Sequence, residues 1–166
     1  MTLAPTLVSA HRCLTRESIE AAIALGADYV EIDVQRAADG SLVLHHDPVD
    51  VPPAELLTYD EALGLIAGRA RVHLDLKLHG DEVDAVRLAV QRLGTDHLLV
   101  TTGHDDGVRA VRDWADAAGH HLMVGLSLGR GVPGFAIWQM VQVRASEIWP
   151  EVRYRHSRAN IAVAHH

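Results

Sequence analysis

Two apolar runs, DYVEIDV at 28–34 and VHLDLK at 72–77, each carry charged residues two positions apart. Side chains at i and i+2 of a strand share a face, so Glu31 falls beside Asp33 and Asp75 beside Lys77 in strands otherwise built of Val, Ile and Leu. A carboxylate withdrawn from water costs several kcal/mol unless a cation or hydrogen bonds compensate it. Three such carboxylates with one lysine point to a metal ion or an anionic substrate. The alternative is two ordinary strands whose charged faces meet solvent.

The order of elements narrows the fold. Residues 3–10 read as a first strand and 15–25 as a helix with Ile19, Ala22 and Ile23 on one face and Gly26 past its end. After the strand at 28–34, Asp39-Gly40 is a turn signal and 41–45 is a third extended run, joined by a connection too short for a crossover helix. Pairing of those two runs as a hairpin stays open at this point. Thr58 and Glu61 form a capping box before Ala62, Leu63 and Ile66, and Gly68 closes that helix. A strand at 71–78, a helix over 83–93 ending at Gly94, a strand at 98–101, a helix over 107–118 and a strand at 121–128 continue the alternation. GRGVPG at 129–134 reads as a loop, 135–143 as a helix and 161–164 as a further strand. Such alternation means an α/β domain on a largely parallel sheet.

Length and composition set the outer limits. The 166 residues fit a single domain over 1–166 with a substantial core, and 48% hydrophobic with 22% charged residues is ordinary for a globular chain. A net charge of -7 leaves no basic surplus to displace counterions, so nucleic acid is excluded as a general partner. Cys13 is the only cysteine, which excludes an internal disulfide and makes it a buried, inert residue by expectation. No run of 18 apolar residues occurs, so no membrane span is expected, and a cytoplasmic location follows. Of the twelve histidines, His104, His120 and His121 read as structural, as do Trp114, Trp138 and Trp149.

Polar residues gather where strands finish: His11 and Arg12 after the first, Glu31 and Asp33 on the second, His45, His46 and Asp47 after the third, Asp75 and Lys77 on the fourth. In a (β/α) barrel the carboxyl ends of the strands form the catalytic face. Carboxylate oxygens suit a hard divalent cation, Mg²⁺ or Ca²⁺, whereas zinc prefers His and Cys. Histidines beside such an ion, with Arg12 and Lys77 as cations, suit acid/base work on a phosphoryl group.

Taken in order, AHR at 10–12, GADYVEIDVQRAADGSLVLHHD at 26–47, LTYDEAL at 57–63 and VHLDLK at 72–77 resemble the glycerophosphodiester phosphodiesterases, a phospholipase-C-like barrel family. The family opens with His-Arg, matched by His11 and Arg12, and carries Glu-x-Asp on its second strand, matched by Glu31 and Asp33. Its second histidine stands directly before an aspartate, which selects His46 over His45. Its third carboxylate is a Glu in Glu-x-Lys; Asp75 and Lys77 stand there, one methylene shorter at the ligand. The family's Glu-Asn-Thr after His-Arg survives only as Glu17-Ser18-Ile19, and 47–58 is too short for the insertion that covers the glycerol end of the substrate.

The resemblance implies a TIM-type barrel, incomplete because a full one takes about 250 residues, with roughly the first five to six strands present. It implies Glu31, Asp33 and Asp75 as ligands to Mg²⁺ or Ca²⁺, Arg12 and Lys77 on the substrate phosphate, and His11 and His46 as general base and general acid. The implied reaction hydrolyses glycerophosphodiesters, small molecules of phospholipid and glycerol metabolism, to glycerol 3-phosphate and an alcohol. The alternatives are a non-catalytic binding module and a lysophospholipase D-type activity on lysolipids. An unclosed barrel is further expected to expose strand edges and an apolar interior, and so to self-associate.

Overall fold

The computed structural model describes residues 6–49, 53–128 and 150–164. In chain order these are β1 (Ser9–Ala10), α1 (Arg16–Ala24), β2 (Tyr29–Arg36), β3 (Leu42–Leu44), a 3-10 turn (Pro53–Glu55), α2 (Tyr59–Ile66), β4 (Arg71–Leu76), α3 (Glu82–Leu93), a second 3-10 turn (Thr95–His97), β5 (Leu98–Thr102), α4 (Asp105–Ala117), β6 (Met123–Leu128), α5 (Pro150–Ser157) and β7 (Ile161–Ala164). The sheet runs β1-β2-β4-β5-β6-β7 with every pair on that path parallel, and β3 lies antiparallel to β2. This is the incomplete (β/α) barrel expected, with six parallel strands among the described residues.

Strand alternation divides the sheet into two unlike faces. Val30, Ile32 and Val34 of β2, Val72, Leu74 and Leu76 of β4, Val100 of β5, and Val124 and Leu126 of β6 are all fully buried in one core with Ile19, Leu63, Ile66, Val86, Val108 and Val111 of the helices. The helices start where local chemistry stops the strand connections. Thr15 and Ser18 satisfy the first turn of α1 reciprocally, and Thr58 and Glu61 do the same for α2. Tyr59, 1% exposed, donates its hydroxyl hydrogen to the Ala85 carbonyl at 3.0 Å and so joins α2 to α3.

The other face is mixed, polar along β2 and β4 and more apolar towards β6 and β7. Register aligns Glu31 with His73, Asp33 with Asp75, Asp75 with Thr101 and Thr101 with Gly125. Residues aligned across parallel strands share a face, so the inner surface presents acids, a histidine and a threonine, with Leu99, Met123 and Ile161 as apolar members in the same register.

The two extended runs left open in the sequence do pair. β2 and β3 form a hairpin in which Arg36 faces Leu42 and Val34 faces Leu44. β2 extends to Arg36, two residues beyond the expected 28–34, because β3 supplies partners for that stretch. On the edge of β2 away from β4, β1 pairs only at Tyr29 and Val30, and β3 occupies the upper part. The hairpin thereby brings the chain back down beside Asp33, whose carbonyl accepts from the His45 N–H at 3.1 Å. α5 was not foreseen; its side is tied to α4 by Arg153 on Asp105 at 2.5 Å, and the residue after it, Arg158, reaches Asp116 at 2.7 Å. The loop at 129–134, the helix at 135–143, Trp138 and Trp149 lie outside the described residues.

Candidate functional site

Alternation on β2 and register with β4 bring Glu31, Asp33 and Asp75 together, with one oxygen of each lying within 4.8 Å of the others. All three are buried, at 2%, 1% and 5% exposure. Burial at that level is costly for carboxylates, and the neighbours show how the cost is met. Lys77 extends from the end of β4 and puts Nζ 2.5 Å from Asp75 Oδ2 and 3.2 Å from Asp33 Oδ1. Its own ammonium loses solvation by burial, yet the two aspartates hold its pKa above the ordinary value.

The β1 side completes Glu31. Arg12 has φ 58, in the left-handed region, and this turn directs its backbone N–H to Glu31 Oε2. His11 brings Nε2 to 3.9 Å from the same oxygen while staying largely exposed. Burial, with Asp33 and Asp75 close by, pushes the Glu31 carboxyl up from 4.5 to about 7 against the lowering effect of the Arg12 N–H and Lys77.

Both adjacent histidines follow the hairpin, but they part company. His46 Nδ1 lies 3.0 Å from Asp33 Oδ2 and its Nε2 lies 2.7 Å from Arg12 Nη2, whereas the His45 ring turns to the Asp47 carbonyl at 2.8 Å. A guanidinium only donates. His46 Nε2 therefore accepts from Arg12, and its hydrogen sits on Nδ1, donating to Asp33. The structure thus brings His11, Arg12, Glu31, Asp33, His46, Asp75 and Lys77 to one face of the sheet.

Two residues passed over in the sequence also touch this group. Thr101 Oγ1 is 3.1 Å from Asp75 Oδ1, and His73 Nε2 is 2.9 Å from Thr101 Oγ1. His73 was legible as the i−2 neighbour of Asp75; Thr101 was not, because its contact depends on the β4–β5 register. Cys13 is buried as expected, and burial followed by Glu31 pushes its thiol pKa up. His104 stacks edge-on with His79, and His120 lies against Trp114, which packs on the core.

The donor set fits a hard divalent cation. With all three acids ionised, one lysine against three carboxylates leaves two negative charges in a buried space, and His46, as the tautomer above, adds none. All three ligating groups offer oxygen. Beside this site, between the start of α1 and the first 3-10 turn, is a cavity of about 430 Å³ whose apolar wall comes from Leu14, Leu44, Leu56 and Leu57 and whose lining includes His45.

The family model of the glycerophosphoryl diester phosphodiesterases matches residues 11–54, which includes His11, Arg12, Glu31, Asp33 and His46. No curated protein sequence matches the chain. Among solved structures, the glycerophosphodiester phosphodiesterase of Thermotoga maritima is similar with a TM-score of 0.64 at 17% identity, over 98% of this chain and 75% of that one. That of Agrobacterium tumefaciens gives 0.61 at 19% identity, over 74% of this chain and 66% of that one. A phosphodiesterase of Oleispira antarctica, solved with the product sn-glycerol-3-phosphate, gives 0.56 at 17% identity, over 96% and 92%. The resemblance read in the sequence is borne out, and the fold is theirs. No helix among the described residues is long and apolar enough to cross a membrane.

Proposed function

We propose that the chain hydrolyses glycerophosphodiesters to glycerol 3-phosphate and an alcohol with a divalent cation, Mg²⁺ or Ca²⁺. The observation that carries this reading is the buried Glu31, Asp33 and Asp75 group flanked by His11, His46, Arg12 and Lys77 on one face. The family match over 11–54 and the product named in the Oleispira antarctica structure support the substrate class. Glu31, Asp33 and Asp75 would hold the cation, which as a Lewis acid polarises the phosphoryl oxygens and offsets charge on them.

The remaining roles follow from the chain's own groups. Arg12 and Lys77 lie where they can neutralise the phosphate as charge grows on it in the transition state. The glycerol 2-hydroxyl attacks phosphorus and the bond to the alcohol oxygen breaks. One histidine takes the hydroxyl proton, and the other returns a proton to the departing alcohol. By the resemblance, His11 takes the accepting half as general base and His46 the returning half as general acid. Water then opens the cyclic phosphate by the reverse exchange of protons.

The test is turnover of glycerophosphocholine with added Mg²⁺ or Ca²⁺, followed by release of glycerol 3-phosphate. His46→Ala is expected to lower turnover by about 10² to 10⁴, the usual span for such groups, while His45→Ala leaves it near wild type. Absence of turnover with either ion, or normal turnover in a chain lacking both His11 and His46, sinks the reading. The four leucines of the cavity beside His45, which also carries Thr15, Arg16, Glu17 and Glu55, favour a second one, lysophospholipase D-type cleavage of lysolipids. Choline release from a lysolipid compared with that from glycerophosphocholine separates the two.

A further inference from the structure

We propose that Thr101 and His73 are positioning residues, a two-link hydrogen-bond chain that orients the Asp75 carboxylate towards Glu31 and Asp33 for the cation. The inference rests on the cation-dependent reading above and extends it to two residues outside the three-carboxylate group. Thr101 sits opposite Asp75 in the β4–β5 register and is 1% exposed. Its hydroxyl has a single hydrogen and two acceptor lone pairs. Three groups can compete for that hydrogen: the Leu74 carbonyl at 3.4 Å, Asp75 Oδ1 at 3.1 Å and, as the tautomer with a bare Nε2, His73 at 2.9 Å. The carboxylate alone is charged and makes the stronger bond, so it takes the hydrogen.

The direction of the second link then follows. With the hydroxyl hydrogen committed to Asp75, Oγ1 can only accept from the imidazole 2.9 Å away, so His73 donates from Nε2. The chain runs His73 Nε2–H to Thr101 Oγ1–H to Asp75 Oδ1, and Lys77 holds the other oxygen at 2.5 Å. Both oxygens of Asp75 are thereby fixed, and rotation of the carboxylate about its terminal torsion is stopped. This matters most for an aspartate, whose short side chain has one fewer bond with which to correct its aim. Outer-shell groups of this kind are worth about 10- to 100-fold in metal affinity.

The experiment measures Mg²⁺ and Ca²⁺ affinity of the full chain by titration calorimetry, with glycerophosphocholine turnover in parallel. Thr101→Val keeps the shape and removes the hydroxyl; it is expected to weaken cation binding about 10- to 100-fold. It should leave the KM for glycerophosphocholine unchanged once the cation is saturating. Thr101→Ser restores the donor and should bind within about threefold of wild type, a rescue that a packing role would not produce. His73→Leu should weaken binding by a few-fold, and adding it to Thr101→Val should cost nothing more, because the chain is already cut. Thr101→Val binding as tightly as wild type, Thr101→Ser failing as badly as Thr101→Val, or a wild-type chain binding neither ion overturns the proposal. Weakened binding in Thr101→Val with no turnover in wild type supports the positioning chain and refutes only the phosphodiesterase reading.

Discussion

The two faces of the sheet both bury side chains and are built oppositely. On the helix side Val30, Ile32, Val72 and Leu74 are fully buried; one residue along each strand, Glu31, Asp33 and Asp75 are at most 5% exposed. Each apolar side chain on the first face contributes about 1.5–3 kcal/mol relative to exposure. Each acid on the second costs stability unless matched, and Lys77, the Arg12 N–H, His46 and Thr101 match them only in part. Burial therefore does not separate folding from chemistry in this molecule; the identity of the buried group does. Because strand side chains alternate, one register builds both faces, and a slip of one residue would send the acids into the helix core.

The largest expected effect falls on the polar face. Glu31→Gln combined with Asp33→Asn should lower glycerophosphodiester turnover by at least about 10², since cation stabilisation of the phosphoryl transition state is worth several kcal/mol. The same variant, melted in the presence of a chelator, should be no less stable than wild type, because it loses mutual repulsion among buried acids. A large drop in its melting temperature would mean that the acids serve the fold instead.

Leu74→Ala, one position from Asp75, should do the reverse. It is expected to cost about 2–5 kcal/mol in denaturant unfolding, the range for a leucine cavity in a packed core, while the folded fraction keeps its cation affinity. A variant that lost affinity without losing stability would erase the division between the faces.

A third substitution probes where the polar face ends. A Cβ built at Gly125 on β6 would come within 2.7 Å of Ile161 Cγ1 on β7. Gly125→Ala is therefore expected to cost about 1–3 kcal/mol by overpacking, with cation binding intact. A stability equal to wild type would show that β7 yields readily.

The smallest effect is electrostatic. Glu31 has its pKa raised from 4.5 to about 7 by burial and by Asp33 and Asp75, so the folded chain holds a proton that the unfolded chain has released. The associated stability is fully present below pH 4.5 and is lost as pH rises through about 7. Thermal melts of cation-free protein should decline modestly across that window. Added Mg²⁺ should raise them more at its upper end, where the proton has left. Glu31→Gln should flatten both trends.

Much of this was legible in the chain. Thr58 and Glu61 form the capping box that the chain spells out, whereas Thr15, expected inside its helix, stands as the cap before it. Period-two alternation made Glu31 and Asp33 neighbours, and Asp75 and Lys77 neighbours, without reference to any other strand. The same alternation carried His73 in plain view. α5 escaped because its eight residues, PEVRYRHS, show little apolar periodicity and are held to α4 by ion pairs.

The sequence by itself determined the α/β order, the pairing of charges within each strand and the family likeness, because all three depend on residues adjacent along the chain. Only the tertiary structure decided that β2 and β3 close as a hairpin, that His46, already singled out by the family likeness, bonds Asp33, and that Arg12 lies against His46. It alone decided that Thr101 stands behind Asp75. These contacts join residues 13 to 34 positions apart. They are set by the sheet register and by a backbone turn at Arg12, neither of which follows from local periodicity.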